Sequence, residues 1–223
     1  MFTRRKSMGG GIKSFPVSRL RQPFIFSIPS LELGIFVCND PSIMGYKDLS
    51  DKVGHGNVVT FGEHGDIVIN QVLGKGDFAV TFSGYYSVDP KVKFAFKLIN
   101  GDIGQLSEFG EVIRTEKGDS LIQNVMREYQ IMASLECLGR QGPHVCTEGA
   151  CAFSMGGFLA FVIVLEQMES TLSTYLREYL PTLAGRPDEI TFICLQLVLK
   201  TLNAFRRLHA LQIYHMDGYS RNW

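Results

Sequence analysis

The sequence predicts an α+β fold: an antiparallel sheet with one covering helix, followed by a mainly helical region. Three observations carry this. Between residues 67 and 99, three runs rich in β-branched and aromatic residues (IVINQVL, AVTFSGYY and VKFAFKLI) are separated by turn residues, the pattern of consecutive hairpins. Over 119–138, Leu121, Val125, Met126, Tyr129, Met132 and Leu135 fall near helical spacing. After two more strand-like runs, the pattern is helical over 170–180 and 189–210.

Taken in chain order, residues 1–31 carry Arg4, Arg5, Lys6, Lys13, Arg19 and Arg21 and no acid, together with Gly9, Gly10, Gly11, Pro16, Pro23 and Pro29. This reads as a basic flexible arm, with a targeting signal as the functional alternative to a solvated tail. Residues 32–66 are an extension without an assigned structure, in which short apolar pieces such as LGIFVC are broken by Gly, Pro, Asn and Asp. The three strand runs follow. Residues 100–119 are glycine- and charge-rich and predict an extended loop. Asp119 or Ser120 is expected to cap the helix over 119–138. VCTEGACAF and GFLAFVIVLEQM predict two further strands, and STLSTYLREYL a short helix. Asp188 is expected to cap a long helix with Ile193, Leu197, Leu202, Phe205 and Leu208 in one stripe.

Composition bounds the function. With 223 residues and 45% hydrophobic side chains, the chain can bury a core. Lysine plus arginine equals aspartate plus glutamate at 22 each, so no basic excess points to nucleic acid. The longest apolar run, GGFLAFVIVL, is too short to span a bilayer, so no membrane partner is expected. Five scattered cysteines (Cys38, Cys137, Cys146, Cys151 and Cys194) predict reduced thiols in an intracellular protein of the cytoplasm or nucleus. His144, Cys146 and Cys151 lie close in sequence but lack the second ligand pair of a structural zinc site.

LGKGDFAVTFSG lies between the first two strands. Gly74 and Gly76 let backbone approach phosphate oxygens, although glycines in a hairpin turn are also ordinary turn chemistry. A dinucleotide fingerprint is disfavoured, because a strand rather than a helix follows these glycines. Lys97 sits in FAFKLI on the third strand, flanked by Phe96 and Leu98 and on the same face as Ala95 and Ile99, and is expected to point toward an apolar interior. Buried lysines need a partner. Glu128 of MREYQIMASL is the best candidate, with Glu136 as the alternative. The C-terminal stretch IYHMDGYSRNW carries His215, Asp217 and Asn222 spaced like a phosphoryl-transfer loop.

Together the glycine loop, AFK, the helix glutamate, FVIVLEQM, the long helix and HMDGYSRN resemble the eukaryotic-type protein kinases of the Ser/Thr kind, from about Gln71 to Trp223. The resemblance implies a protein-kinase-like fold: a small lobe over 67–168, then the first helices of the large lobe over 169–223. It implies ATP and Mg2+ as cofactors, and a protein substrate or a kinase-like partner. Gly74, Lys75, Gly76 and Phe78 would cover the ATP phosphates, Ala95 would line the adenine pocket, and Lys97 would reach the α/β-phosphates, held by Glu128. Leu165 would stand at the gatekeeper position, with Glu166 to Met168 at the adenine edge. Asp217 would be the catalytic base and Asn222 a magnesium ligand.

The sequence departs from that pattern in several places. Ala79 replaces the third loop glycine and Thr81 a valine; Met216 replaces the arginine of His-Arg-Asp; Gly218 and Tyr219 stand where leucine and lysine are usual. The sequence stops one residue past Asn222 without an Asp-Phe-Gly segment. The expectation is therefore a truncated chain, weakly active or inactive, whose full-length form phosphorylates protein Ser/Thr; a pseudokinase that binds a partner without catalysis is the alternative.

Overall fold

The structure is a computed structural model that describes residues 24–28, 31–107, 111–135 and 146–213. Elements in chain order are β1 (Phe24–Ile28), β2 (Leu31–Val37), α1 (Tyr46–Gly54), β3 (Val59–Phe61), β4 (Ile67–Lys75), β5 (Ala79–Tyr86), β6 (Lys93–Ile99), β7 (Gly104–Leu106) and β8 (Val112–Ile113). They continue with α2 (Glu116–Leu135), β9 (Thr147–Met155), β10 (Phe158–Glu166), α3 (Leu172–Tyr179), a 3-10 turn (Leu180–Leu183) and α4 (Pro187–Ala210). The chain is thus a mixed α/β protein. It divides into two compact units, Met1–Met126 with Glu148–Leu165, and Arg127–Thr147 with Glu166–Trp223.

In the first unit the sheet runs β1-β2-β9-β10-β6-β5-β4-β3. The three hairpin strands of the sequence are β4, β5 and β6, paired antiparallel in register Ile67↔Tyr86 and Phe82↔Phe96. The segment 32–66, unassigned from sequence, supplies β3 at one end of this sheet and nearly all of β2, next to β1 at the other. β2 runs parallel to β9, with Ile35 opposite Ala152. β3 lies antiparallel to β4, with Thr60 opposite Val68. The two ends then meet: Cys38 bridges Phe61, the Asn39 amide donates to Thr60 O at 3.0 Å, and the Gly62 amide donates to Val37 O at 2.8 Å. β2, β9, β10, β6, β5, β4 and β3 therefore form a closed ring. Closure removes the open edges that a sheet otherwise exposes.

Alternate side chains point inside. Val80 and Phe82 of β5, Phe94, Phe96 and Leu98 of β6, Cys151, Phe153 and Met155 of β9, and Ala160, Val162 and Val164 of β10 share one buried cluster with Phe36 and Phe61. Phe61 and Phe153 stack with ring centroids 4.0 Å apart, though β3 and β9 are separated by β10, β6, β5 and β4 in the sheet order. Inward residues of β4 change parity, from Ile67 and Ile69 to Val72, because the register shifts between Ile69 and Gln71. α1 contributes Leu49 and Val53 to the same cluster, one turn apart on a single face. Its entry is fixed by Asp40, which accepts from the Ser42 amide at 3.0 Å and hydroxyl at 2.6 Å and pairs with Lys52.

The outward row of β10 (Leu159, Phe161 and Ile163) is also fully buried, which explains the unbroken apolar run of this strand. Buried Ile122, Val125 and Met126 lie on the first half of α2. That half is seated where Leu121 approaches Gly101 and where Gly118 has no room for a Cβ, Ile103 O lying 2.5 Å from its ideal position. The helix starts at Glu116, earlier than expected, because the Thr115 hydroxyl accepts from the Gly118 amide at 3.0 Å and so takes the capping role given to Asp119 or Ser120. The loop expected over 100–119 holds the short β7–β8 hairpin, with β7 paired to β10.

In the second unit, Thr171 caps α3 by accepting from the Thr174 amide at 3.1 Å. α4 begins at Pro187 with Arg186 as its N-cap residue, so Asp188 lies inside the first turn rather than capping it. The expected stripe is only partly buried: Leu208 is covered, whereas Leu202 joins Phe192, Leu195, Val198 and Leu199 among the exposed residues. Among the described residues, no helix is long and apolar enough to cross a membrane.

Candidate functional site

β4 and β5 are joined through Gly76, Asp77 and Phe78, with the Gly76 amide donating to Ala79 O at 2.9 Å. Register then places three residues in one line across three strands. Gly74 lies opposite Thr81, and Thr81 opposite Lys97. Directly opposed residues share a sheet face at a spacing of roughly 5 Å, so Gly74, Thr81 and Lys97 form one row. The adjacent row is Gln71, Ser83 and Ala95. This face is the outer one. The barrel interior takes Phe94, Phe96 and Leu98, and Lys97 shares the opposite face with Ala95 and Ile99. Lys97 thus stands on the expected face with Ala95 and Ile99, but that face is the barrel's outer one rather than its apolar interior, because the strand's period of two sends Phe96 and Leu98 inward. Ala95 and Ile99 are buried, while Lys97 is half-buried.

Small residues and an ammonium thus line the same strip. A Cβ added at Gly74 would meet nothing within 4 Å, and one at Gly76 would meet only Ala79 O at 3.6 Å. Open space at a backbone turn beside a lysine suits a phosphate: amide donors approach without a side chain between, and Lys97 supplies the opposite charge. Phe78, at the tip, is 85% exposed. Lys75 pairs with Asp51 of α1 at 3.7 Å, and both side chains are largely exposed, so the pair contributes little stability.

Sequence reasoning missed Asn100, which follows β6. Its side-chain amide donates to Gly76 O at 3.2 Å and to Asp77 O at 3.1 Å, and its backbone amide to Phe78 O at 2.8 Å. The only local signal was Asn100-Gly101, which reads as turn chemistry. Asp102 was missed as well. Its carboxylate accepts from the Gly104 amide at 3.0 Å and the Leu159 amide at 3.2 Å, tying the exit from β6 to β10.

The remaining expected residues fall on other elements or outside the described residues. Glu128 is half-buried on the part of α2 that belongs to the second unit. Glu166, also in that unit, is engaged by Cys146. The Cys146 amide donates to its carboxylate at 2.8 Å, and its own amide donates to Cys146 O at 3.0 Å. Met168, just beyond β10, is exposed. Asp217 and Asn222 lie outside the described residues, as do Glu136 and His144. Cys151 lies within β9, where burial pushes its thiol far above the ordinary range, and Cys146 immediately precedes that strand. Among the described residues, no group of three or more His, Cys, Asp and Glu side chains is placed to hold a metal ion.

No family model matches the sequence, and no curated protein matches it. Among solved structures, the MAP kinase LmaMPK10 from Leishmania major is similar at 14% identity with a TM-score of 0.47, over 70% of this chain. This chain spans 42% of that kinase's length.

Proposed function

We propose that this chain is a protein-kinase-like nucleotide-binding protein, built for ATP-dependent phosphoryl transfer to serine or threonine of a protein. One observation carries the reading: the glycine hairpin, Thr81 and Lys97 stand on one face, with open space at Gly74. A glycine turn and a lysine two strands later are the parts that hold nucleotide phosphates in kinases. Bound ATP with Mg2+ would supply the phosphoryl group.

This chain's residues then have distinct tasks. Gly74, Lys75 and Gly76 form the turn over the phosphates, the Phe78 backbone amide donates to phosphate oxygens, and the Phe78 ring covers them. Lys97 neutralises phosphate charge, with Glu128 as its proposed partner. Ala95 leaves room for the base, whose edge meets the backbone of Glu166 to Met168. Asp217 accepts the proton of the substrate hydroxyl, and Asn222 is the proposed magnesium ligand. Where Tyr219 replaces the usual lysine, charge stabilisation is weaker, by on the order of a few kcal/mol at the transition state.

The test is transfer of labelled γ-phosphate from ATP to a mixed protein substrate, with the full chain and with Lys97→Met. Serine and threonine labelling that falls at least about a hundredfold in Lys97→Met supports the reading. Measurable labelling that is equal in both proteins overturns it. A second reading, a pseudokinase that engages a partner protein, is favoured by the exposed apolar residues Phe192, Leu195, Val198, Leu199 and Leu202 on α4. It expects nucleotide binding without transfer.

A further inference from the structure

A hairpin tip with two glycines and an 85% exposed phenylalanine has little packing to hold its shape. Here it is held from outside. Three successive carbonyls, of Gly76, Asp77 and Phe78, all accept from Asn100, two from its side chain and one from its backbone. The contacts span more than twenty residues of sequence and join the tip to the end of β6, three positions beyond Lys97.

This has a directional consequence. In a trans peptide, C=O and the following N–H point to opposite sides. Turning the carbonyls of residues 76–78 toward Asn100 therefore turns the amides of Asp77, Phe78 and Ala79 away from it. The tip then presents three consecutive donors on its other side, an arrangement suited to an anion. We propose that Asn100 is a positioning residue: it clasps the glycine hairpin so that these amides face the phosphates of a nucleotide whose charge Lys97 meets. The proposal rests on the nucleotide reading above and adds to it the residue that sets loop geometry. Because the backbone bond from Asn100 to Phe78 survives any substitution except proline, loss of the side chain loosens the tip without dissolving the hairpin.

The experiment uses the full chain and two variants, Asn100→Ala and Asn100→Asp, the second nearly isosteric but lacking the donor. Binding of ATP in magnesium chloride and of adenosine is measured by calorimetry, alongside amide exchange without nucleotide. In both variants ATP binding weakens by about tenfold while adenosine binding changes by less than about twofold. The hydrogen-bonded amides of Gly76 and Asn100, donated to Ala79 O and Phe78 O, exchange faster, whereas those of Val80 and Leu98 do not. A purely structural role would weaken ATP and adenosine alike, and that result overturns the proposal, as does unchanged ATP binding. Should the wild-type chain bind neither compound, the nucleotide reading fails; exchange at the Gly76 and Asn100 amides then decides the clasp alone, and rates equal to wild type reject it.

Discussion

Asp40 shows how one ion pair fixes the approach to α1. Lys52 beside it, aided by the hydroxyl and amide of Ser42, holds its carboxyl down to about 2 from an ordinary 3.8. A depressed folded-state pKa gives stability that is present above the unfolded value and is lost as pH falls through the folded one. The difference in melting temperature between wild type and Asp40→Asn should therefore be constant above about pH 5 and shrink between about pH 4 and pH 2. A difference that stays constant to pH 2 would show that Asp40 acts only as a neutral hydrogen-bond acceptor. The effect is modest, since solvent screens the pair. At this scale the placement of Gly76 in the turn between two strands and of Lys97 on the third strand was legible, because strand runs and turn residues alternate there. Asn100 was not. Its partners lie more than twenty residues away, and locally Asn-Gly means only a turn.

Among the elements, β5 was read to the residue at Ala79–Tyr86, because alternation and flanking turn residues agree there. α2 was misplaced at its start because Thr115 competes with Asp119 and Ser120 as a cap, and only the contact with the Gly118 amide distinguishes them. α1, β2 and β3 went unassigned for a different reason: each is short, and its burial comes from distant partners rather than from its own periodicity. β3 carries the seam, and its Phe61 is fully buried against Phe153. Phe61→Ala should destabilise the chain by about 3–5 kcal/mol in urea unfolding, as large-to-small changes in a closed core do. Phe192→Ala, at a position 62% exposed on α4, should change it by less than about 0.5 kcal/mol. Comparable losses in the two variants would mean that the ring is not closed at Phe61.

For the whole molecule, the closed ring gives the proposed nucleotide site a firm support. The three strands that carry Gly74, Thr81 and Lys97 are shared with a barrel whose interior holds Phe82, Phe96 and Phe153. The groups proposed to bind nucleotide face outward from a packed core, which places them on the opposite face of the strands from the residues that hold the fold. The α+β class was legible because hairpin and helix periods alternate in blocks. Closure was not, since the meeting of Cys38 with Phe61 depends on how far the sheet coils, which no local pattern states. The most direct measurement of the central claim is calorimetric titration of the full chain with ATP in magnesium chloride, beside Lys97→Met. Saturable binding that weakens by at least about tenfold in the variant, at an unchanged melting temperature, is the predicted result. Absence of binding, or equal affinity in both proteins, would contradict a nucleotide site at the glycine hairpin and Lys97.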